Sequence, residues 1–219
     1  MCGIFGYVGK KQDVPNMILD GLKLLEYRGY DSWGIAVKAE SGKVKAESEI
    51  KVEKHVGKIG DARVDLPESS LGIGHTRWAT HGGVTVANSH PHLDCGKNIA
   101  VVHNGIIENY QELKEDLIAK GHKFISETDT EVFPHLLEDN LKQNQFDNAF
   151  RLAFNSIKGL NAIVAINTTT NEIAAAKTGS PLIVGLGENE YFIASDAIGI
   201  LKHTKKVIFL EDNQIIWVL

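Results

Sequence analysis

The stretch Met1-Cys2-Gly3-Ile4-Phe5-Gly6-Tyr7-Val8-Gly9 decides how the chain is read. Residues 4–8 are a short apolar run closed by Gly9, which predicts a buried strand. Cys2 stands directly before it, and removal of Met1 would leave a thiol and a free α-amino group on that one residue. A thiolate attacks a carbonyl carbon far better than a thiol, and a cysteine of ordinary pKa, about 8.5, is mostly protonated at neutral pH. The amine, titrating at about 8, can take the thiol proton and hand it on to a leaving group. One residue would then supply both nucleophile and base. Gly3 favours aminopeptidase removal of Met1 and lets another backbone come close. Read alone, a cysteine at position 2 is more often an accident or a small buried apolar side chain.

Working outward, residues 14–27 carry Met17, Ile18, Leu22 and Leu25 at helical spacing. Residues 32–37 and 43–48 predict a hairpin around Ser41-Gly42. Asn109 followed by Glu112 reads as a capping box, with Leu113 and Leu117 on one face and Gly121 closing the helix. A second helix is expected from residues 128–130 through Leu141, with Pro134 tolerated near its start, and a third over residues 146–157. From Asn161 onward the runs are β-rich: 162–166, 173–177, 182–185, 191–194, 207–210 and 215–219. Many are apolar on successive residues, as in strands covered on both faces, so sheets stacked between helices are expected.

The 219 residues, 43% of them hydrophobic, can bury a sizeable core, and no Pro/Gly/Ser-rich linker divides them. A single domain over residues 1–219 is therefore expected. Lys and Arg total 23 against 28 Asp and Glu, scattered along the chain, which points to neither a nucleic acid nor a membrane partner. The first apolar stretch is broken by Lys10, Lys11 and Asp13, so a signal-peptide core is not read and a cytoplasmic location is expected. The two cysteines, Cys2 and Cys95, are too few for a disulfide scaffold or a thiolate zinc site, so no metal and no cofactor is expected.

Three internal segments bear on Cys2. In Gly74-His75-Thr76-Arg77-Trp78-Ala79-Thr80-His81-Gly82-Gly83, an apolar run over residues 71–73 leads into a polar loop. Arg77 there suits a bidentate carboxylate contact, or is a surface cation beside a packing Trp. Ile99-Ala100-Val101-Val102-His103-Asn104-Gly105 predicts a buried strand that ends in Asn-Gly. An Asn amide beside a Gly N–H can form an oxyanion hole, and Asn-Gly is also a common turn. In Ser126-Glu127-Thr128-Asp129-Thr130-Glu131, Asp129 either holds an ammonium group or caps a helix.

Together with Cys2-Gly3-Ile4-Phe5-Gly6, these segments resemble the glutaminase domains of the class II glutamine amidotransferases, in the N-terminal nucleophile (Ntn) hydrolase superfamily. Leu25-Glu26-Tyr27-Arg28-Gly29-Tyr30-Asp31-Ser32 and Ser126-Glu127-Thr128-Asp129-Thr130-Glu131 are most similar to the branch that makes glucosamine 6-phosphate, the glutamine–fructose-6-phosphate aminotransferases. Thr178-Gly179-Ser180-Pro181-Leu182 and Phe192-Ile193-Ala194-Ser195-Asp196 match as well, so the resemblance covers nearly the whole chain. It implies an α+β fold, the four-layer αββα Ntn sandwich. It also implies that Cys2 forms a thioester with L-glutamine, releasing ammonia and then glutamate. Asn104 and Gly105 would hold the oxyanion, Arg77 the substrate carboxylate and Asp129 its ammonium, with Trp78, Thr80 and His81 in a loop that closes over glutamine.

By the same resemblance the chain would be part of a longer homodimeric enzyme whose C-terminal isomerase domains bind fructose 6-phosphate and take the ammonia. Trp33 stands where the family more often has a small residue, which could alter packing beside the site. Tyr27 and Arg28 fall near the ammonia route and the domain interface. Three alternatives differ in kind: the glutaminase domain of another class II amidotransferase, a glutamine-binding domain without catalysis, and a metal-dependent hydrolase built on His90-Pro91-His92 with His75, His81 and His103.

Overall fold

The computed structural model describes residues 2–39 and 49–218. The chain runs through β1 (Gly3–Val8), α1 (Val14–Leu25), β2 (Ser32–Ala39), β3 (Glu49–Val56), β4 (Leu71–Arg77), β5 (His92–Leu93) and β6 (Ile99–Gly105). Three helices follow: α2 (Tyr110–Ala119), α3 (Val132–Leu141) and α4 (Phe146–Ser156). The remainder is β7 (Asn161–Asn167), β8 (Glu172–Thr178), β9 (Ile183–Leu186), β10 (Tyr191–Ala194), β11 (Val207–Phe209) and β12 (Ile215–Val218).

These strands form two antiparallel sheets, one in the order β11-β9-β10-β1-β4-β2-β3 and the other β12-β8-β7-β6-β5. Alternation along each strand assigns its two faces. In β1, Ile4 and Val8 enter the core between the sheets, where Ala100 and Val102 of β6 meet them. Phe5 and Tyr7 point the other way, into the layer of Ile18, Leu22 and Leu25 from α1. On the far side, Ile99 and Val101 of β6 face Phe133 and Leu137 of α3 and Phe150 of α4. The layers are therefore helix, sheet, sheet, helix, the αββα sandwich expected. Burying each such Ile, Leu or Phe stabilises the fold by about 1.5–3 kcal/mol.

Several local expectations are corrected. The strand that begins at Leu71 does not stop before the polar residues; β4 runs on through His75, Thr76 and Arg77, all buried. β6, by contrast, runs through His103 and Asn104 to Gly105 as expected. Pairing with β1, β2 and β7 satisfies their backbones, so polar side chains are carried at strand ends rather than in loops. The capping box at Asn109 does not form: its side chain instead donates to the Ser156 carbonyl (3.0 Å) and accepts from the Lys158 amide (2.8 Å), tying the start of α2 to the end of α4. Gly121 does take the positive φ, +95°, of a helix-ending glycine. The hairpin turn at Ser41-Gly42 and the strand expected at 43–48 lie outside the described residues; the strand paired with β2 is β3. Trp33 is buried on the α1 side of β2, stacks on His55 at 4.4 Å, and pairs with Thr76, the residue of β4 that also pairs with Gly3.

Candidate active site

The paired ends of β1, β4 and β6 bring Cys2, Arg77 and Asn104 to one edge of the sandwich. Gly3 pairs with Thr76, and its amide donates to the Thr76 hydroxyl (3.1 Å). A Cβ on Gly3 would stand 2.6 Å from that hydroxyl and 2.8 Å from Leu25 Cβ, so only glycine fits behind Cys2. The Cys2 sulfur accepts the Trp78 amide N–H at 3.1 Å. Burial pushes the thiol pKa up, while the Trp78 N–H and the nearby Arg77 and Arg28 charges pull it down. The Cys2 carbonyl oxygen accepts two bonds, from Asn104 Nδ2 at 2.9 Å and Arg28 Nε at 3.1 Å. A side chain at the end of β6 and one from the helical turn that follows α1 thus fix the backbone of Cys2.

Asn104 is oriented from behind. Its Oδ1 and the His103 carbonyl both lie 3.0 Å from His75 Nε2, which must be the protonated ring nitrogen to serve two acceptors. The Asn104 amide nitrogen is thereby turned toward Cys2, with one N–H on the Cys2 carbonyl and a second beyond it. Gly105 has φ +133° and no room for a Cβ, which would collide with the Leu160 carbonyl oxygen.

Behind these residues lie four buried imidazoles. His75 packs against His90 (4.2 Å) and His90 against His92 (4.8 Å). His103 contacts Thr130 Oγ1 at 2.9 Å and Asn161 Oδ1 at 2.8 Å, and His92 contacts Thr128 Oγ1 at 3.0 Å. Burial lowers the pKa of all four, that of His75 to about 3, so they are neutral. Both nitrogens of His103, Nε2 of His75 and Nε2 of His92 are engaged by protein partners, and among the described residues these four imidazoles do not converge as a metal-ligand set. Among the described residues, the group whose side chains do converge is Cys95, His122, His135 and Glu138, at a different place.

Arg77 is buried, and its guanidinium gathers the carbonyls of the loop that follows β4: Gly83 at 3.1 Å, Gly82 at 3.3 Å, and His81. Asp129 opens the helical turn before α3, and its Oδ2 accepts the Ile107 amide at 2.7 Å. Cys2, Arg77, Trp78, Thr80, His81, Gly105 and Asp129 share one small pocket of about 20 Å³, the scale of a water molecule. On the other side of Cys2 opens a cavity of about 390 Å³, bordered by Arg28, Trp78, Thr80, Asn104 and Gly105. Every residue picked from the sequence therefore lines one or both of two spaces that meet at Cys2.

Sequence reasoning missed the residues that hold the loop. Asp31 Oδ2 accepts the Ala79 amide at 2.8 Å, and its own amide donates to the Arg77 carbonyl at 2.9 Å. A Cβ on Gly29 would meet the Arg77 carbonyl carbon and the Trp78 nitrogen at 2.7 Å. Arg28, given no role from sequence, pairs with Asp196 at 3.1 Å, and Tyr27 donates to the same carboxylate at 2.8 Å. The signal was available, since these residues belong to the same quoted strings.

Residues 75–202 match the family model described as a glutamine amidotransferase domain. A glutamine–fructose-6-phosphate aminotransferase (isomerizing) of Thermus thermophilus is 49% identical over 220 residues, covering 99% of this chain and 35% of that protein. Its namesake in Pyrococcus horikoshii is 46% identical, covering 98% of this chain and 36% of that protein. The chain spans about one third of the length of the curated relatives it matches. A solved structure described as the allosteric regulatory enzyme of purine biosynthesis shares the fold with a TM-score of 0.83 at 26% identity, over 99% of this chain and 46% of that one. The glutamine phosphoribosylpyrophosphate amidotransferase of B. subtilis has a TM-score of 0.81 at 24% identity, over 99% of this chain and 47% of that one.

Proposed function

This chain belongs to the glutamine amidotransferase domain family, and we propose that Cys2, freed by removal of Met1, hydrolyses the side-chain amide of L-glutamine. The observation that carries the reading is the position of Cys2, which borders both pockets, with its Sγ 3.1 Å from the Trp78 amide and its carbonyl held by the Asn104 amide at 2.9 Å.

In the proposed reaction the α-amine of Cys2 takes the thiol proton, and the sulfur attacks the amide carbon. The second N–H of Asn104 and the backbone N–H of Gly105 receive the oxyanion. Collapse expels ammonia, carrying the proton returned by the amine, and leaves a γ-glutamyl thioester. Water then adds to that thioester and releases glutamate, restoring the thiol. The raised thiol pKa fits this sequence, because a buried thiol needs an adjacent base at the moment of attack.

Arg77 and Asp129 would clamp the two charges of the glutamine head group. A space of about 20 Å³ cannot hold an amino acid, so substrate entry has to open the loop of Trp78, Thr80 and His81. Arg77 would exchange the carbonyls of His81, Gly82 and Gly83 for the substrate carboxylate, a stronger charge-assisted contact.

The names of the relatives support fructose 6-phosphate as the ammonia acceptor, with glucosamine 6-phosphate as product. Under this reading residues 1–219 are the glutaminase domain of a longer cytoplasmic homodimer, and further isomerase domains bind the sugar. The test is a glutaminase assay on wild type and Cys2→Ala, with intact mass reporting Met1. The expected result is glutamate from a chain lacking Met1 and none from Cys2→Ala; full activity in Cys2→Ala would overturn the proposal.

A further inference from the structure

Away from Cys2, three separate segments bring four metal-ligand atoms together: Cys95 from the connection between β5 and β6, His122 from that between α2 and α3, and His135 and Glu138 from α3. The Cys95 sulfur lies 3.8 Å from His122 Nδ1 and 3.6 Å from His135 Nδ1. Glu138 Oε2 lies 2.9 Å from His122 Nδ1 and 3.4 Å from His135 Nδ1. All four atoms fall within 4.8 Å of one another. Around a tetrahedral zinc with bonds of about 2.0–2.3 Å, ligand atoms stand about 3.3–3.8 Å apart. Three of these four spacings already lie in that range; the shorter one is a hydrogen bond that metal binding would widen.

The opposite edges of the two rings supply a second, independent observation. His122 and His135 are both buried, and the Nε2 of each is buried without a hydrogen-bond partner. Each nevertheless faces a carboxylate, Asp139 Oδ1 at 3.6 Å from His122 and Glu131 Oε1 at 4.0 Å from His135. Histidines bound to a metal through one nitrogen usually turn the other N–H to a carboxylate, which fixes the tautomer.

We propose that Cys95 Sγ, His122 Nδ1, His135 Nδ1 and Glu138 Oε2 form a structural zinc site. On binding, the Cys95 thiol releases its proton to solvent, and the His122 proton moves from Nδ1 to Nε2 toward Asp139. The closed set of four protein ligands is that of a structural rather than a catalytic zinc. Its consequence reaches the active site, because Glu131 also takes the amides of Ile125 (2.8 Å) and Ser126 (2.7 Å) at the start of the string that carries Asp129.

The test uses Zn²⁺ alone, added to chelator-stripped protein. Wild type and Cys2→Ala should each retain one equivalent after dialysis and melt at higher temperature with zinc than without. Cys95→Ser, at an exposed position, should bind at least tenfold more weakly while folding normally. Because Cys2 and Cys95 are the two cysteines of the chain, cobalt-loaded Cys2→Ala offers a readout independent of the metal-site variants. It should show a thiolate-to-cobalt charge-transfer band, lost on further change of Cys95 to Ala. Folded wild type retaining no zinc, or a band that survives without Cys95, would overturn the proposal.

Discussion

Asn104 holds two positions at once: its amide nitrogen fixes the Cys2 carbonyl at 2.9 Å while its Oδ1 is pinned by His75 at 3.0 Å. An oxyanion donor is effective when its direction is set before charge develops, since no reorganisation is then needed in the transition state. Asn104→Ala should lower kcat for glutamine hydrolysis by about 10²–10³-fold with a much smaller change in KM. His75 Nε2 keeps its bond to the His103 carbonyl in that variant, so the melting temperature should shift little. Steady-state kinetics with a thermal melt separate the two effects, and an unchanged kcat would remove Asn104 from the chemistry. Trp33 packs on His55 of β3 and pairs with Thr76, next to the Gly3 that follows Cys2.

At the scale of elements, the polar ends of β4 and β6 do what their apolar beginnings cannot. Strand pairing carries His75, Arg77, His103 and Asn104 into a buried edge, where His90 and His92 join the imidazoles. Neutral imidazoles have a cost in acid. From the ordinary pKa of 6.5 down to the value of about 3 at His75, the unfolded chain binds a proton that the folded one refuses. Stability is full above pH 6.5 and falls as pH drops through that window, and the depressed His90, His92 and His103 act in the same direction. Urea midpoints should decline between about pH 6.5 and pH 5, above the range where most carboxylates titrate. A flat midpoint there would contradict the neutral cluster. The end of β4 was also where periodicity failed, because a polar residue reads as exposed until its partner strand is known. The Asn109 cap failed for a related reason: its side chain found partners near α4, far away in sequence.

For the whole molecule, the continuous apolar runs of β1, β7 and β8 already implied a layer on each face, and the αββα sandwich is that implication realised. The residues around Cys2 were legible because they fall in contiguous strings with recognisable chemistry. The set of Cys95, His122, His135 and Glu138 was not, since its ligands come from three elements and no single stretch shows their spacing. Among the described residues no helix is long and apolar enough to cross a membrane. The chain spans about a third of the length of its curated relatives, and glutamine hydrolysis is the activity proposed for its residues. The measurement closest to that claim is mass spectrometry of the protein quenched during turnover of glutamine. The account predicts a chain that begins at Cys2 and carries a glutamyl adduct on that residue, absent from Cys2→Ala. Glutamate formed by chains that retain Met1, or an adduct on any other residue, would contradict it.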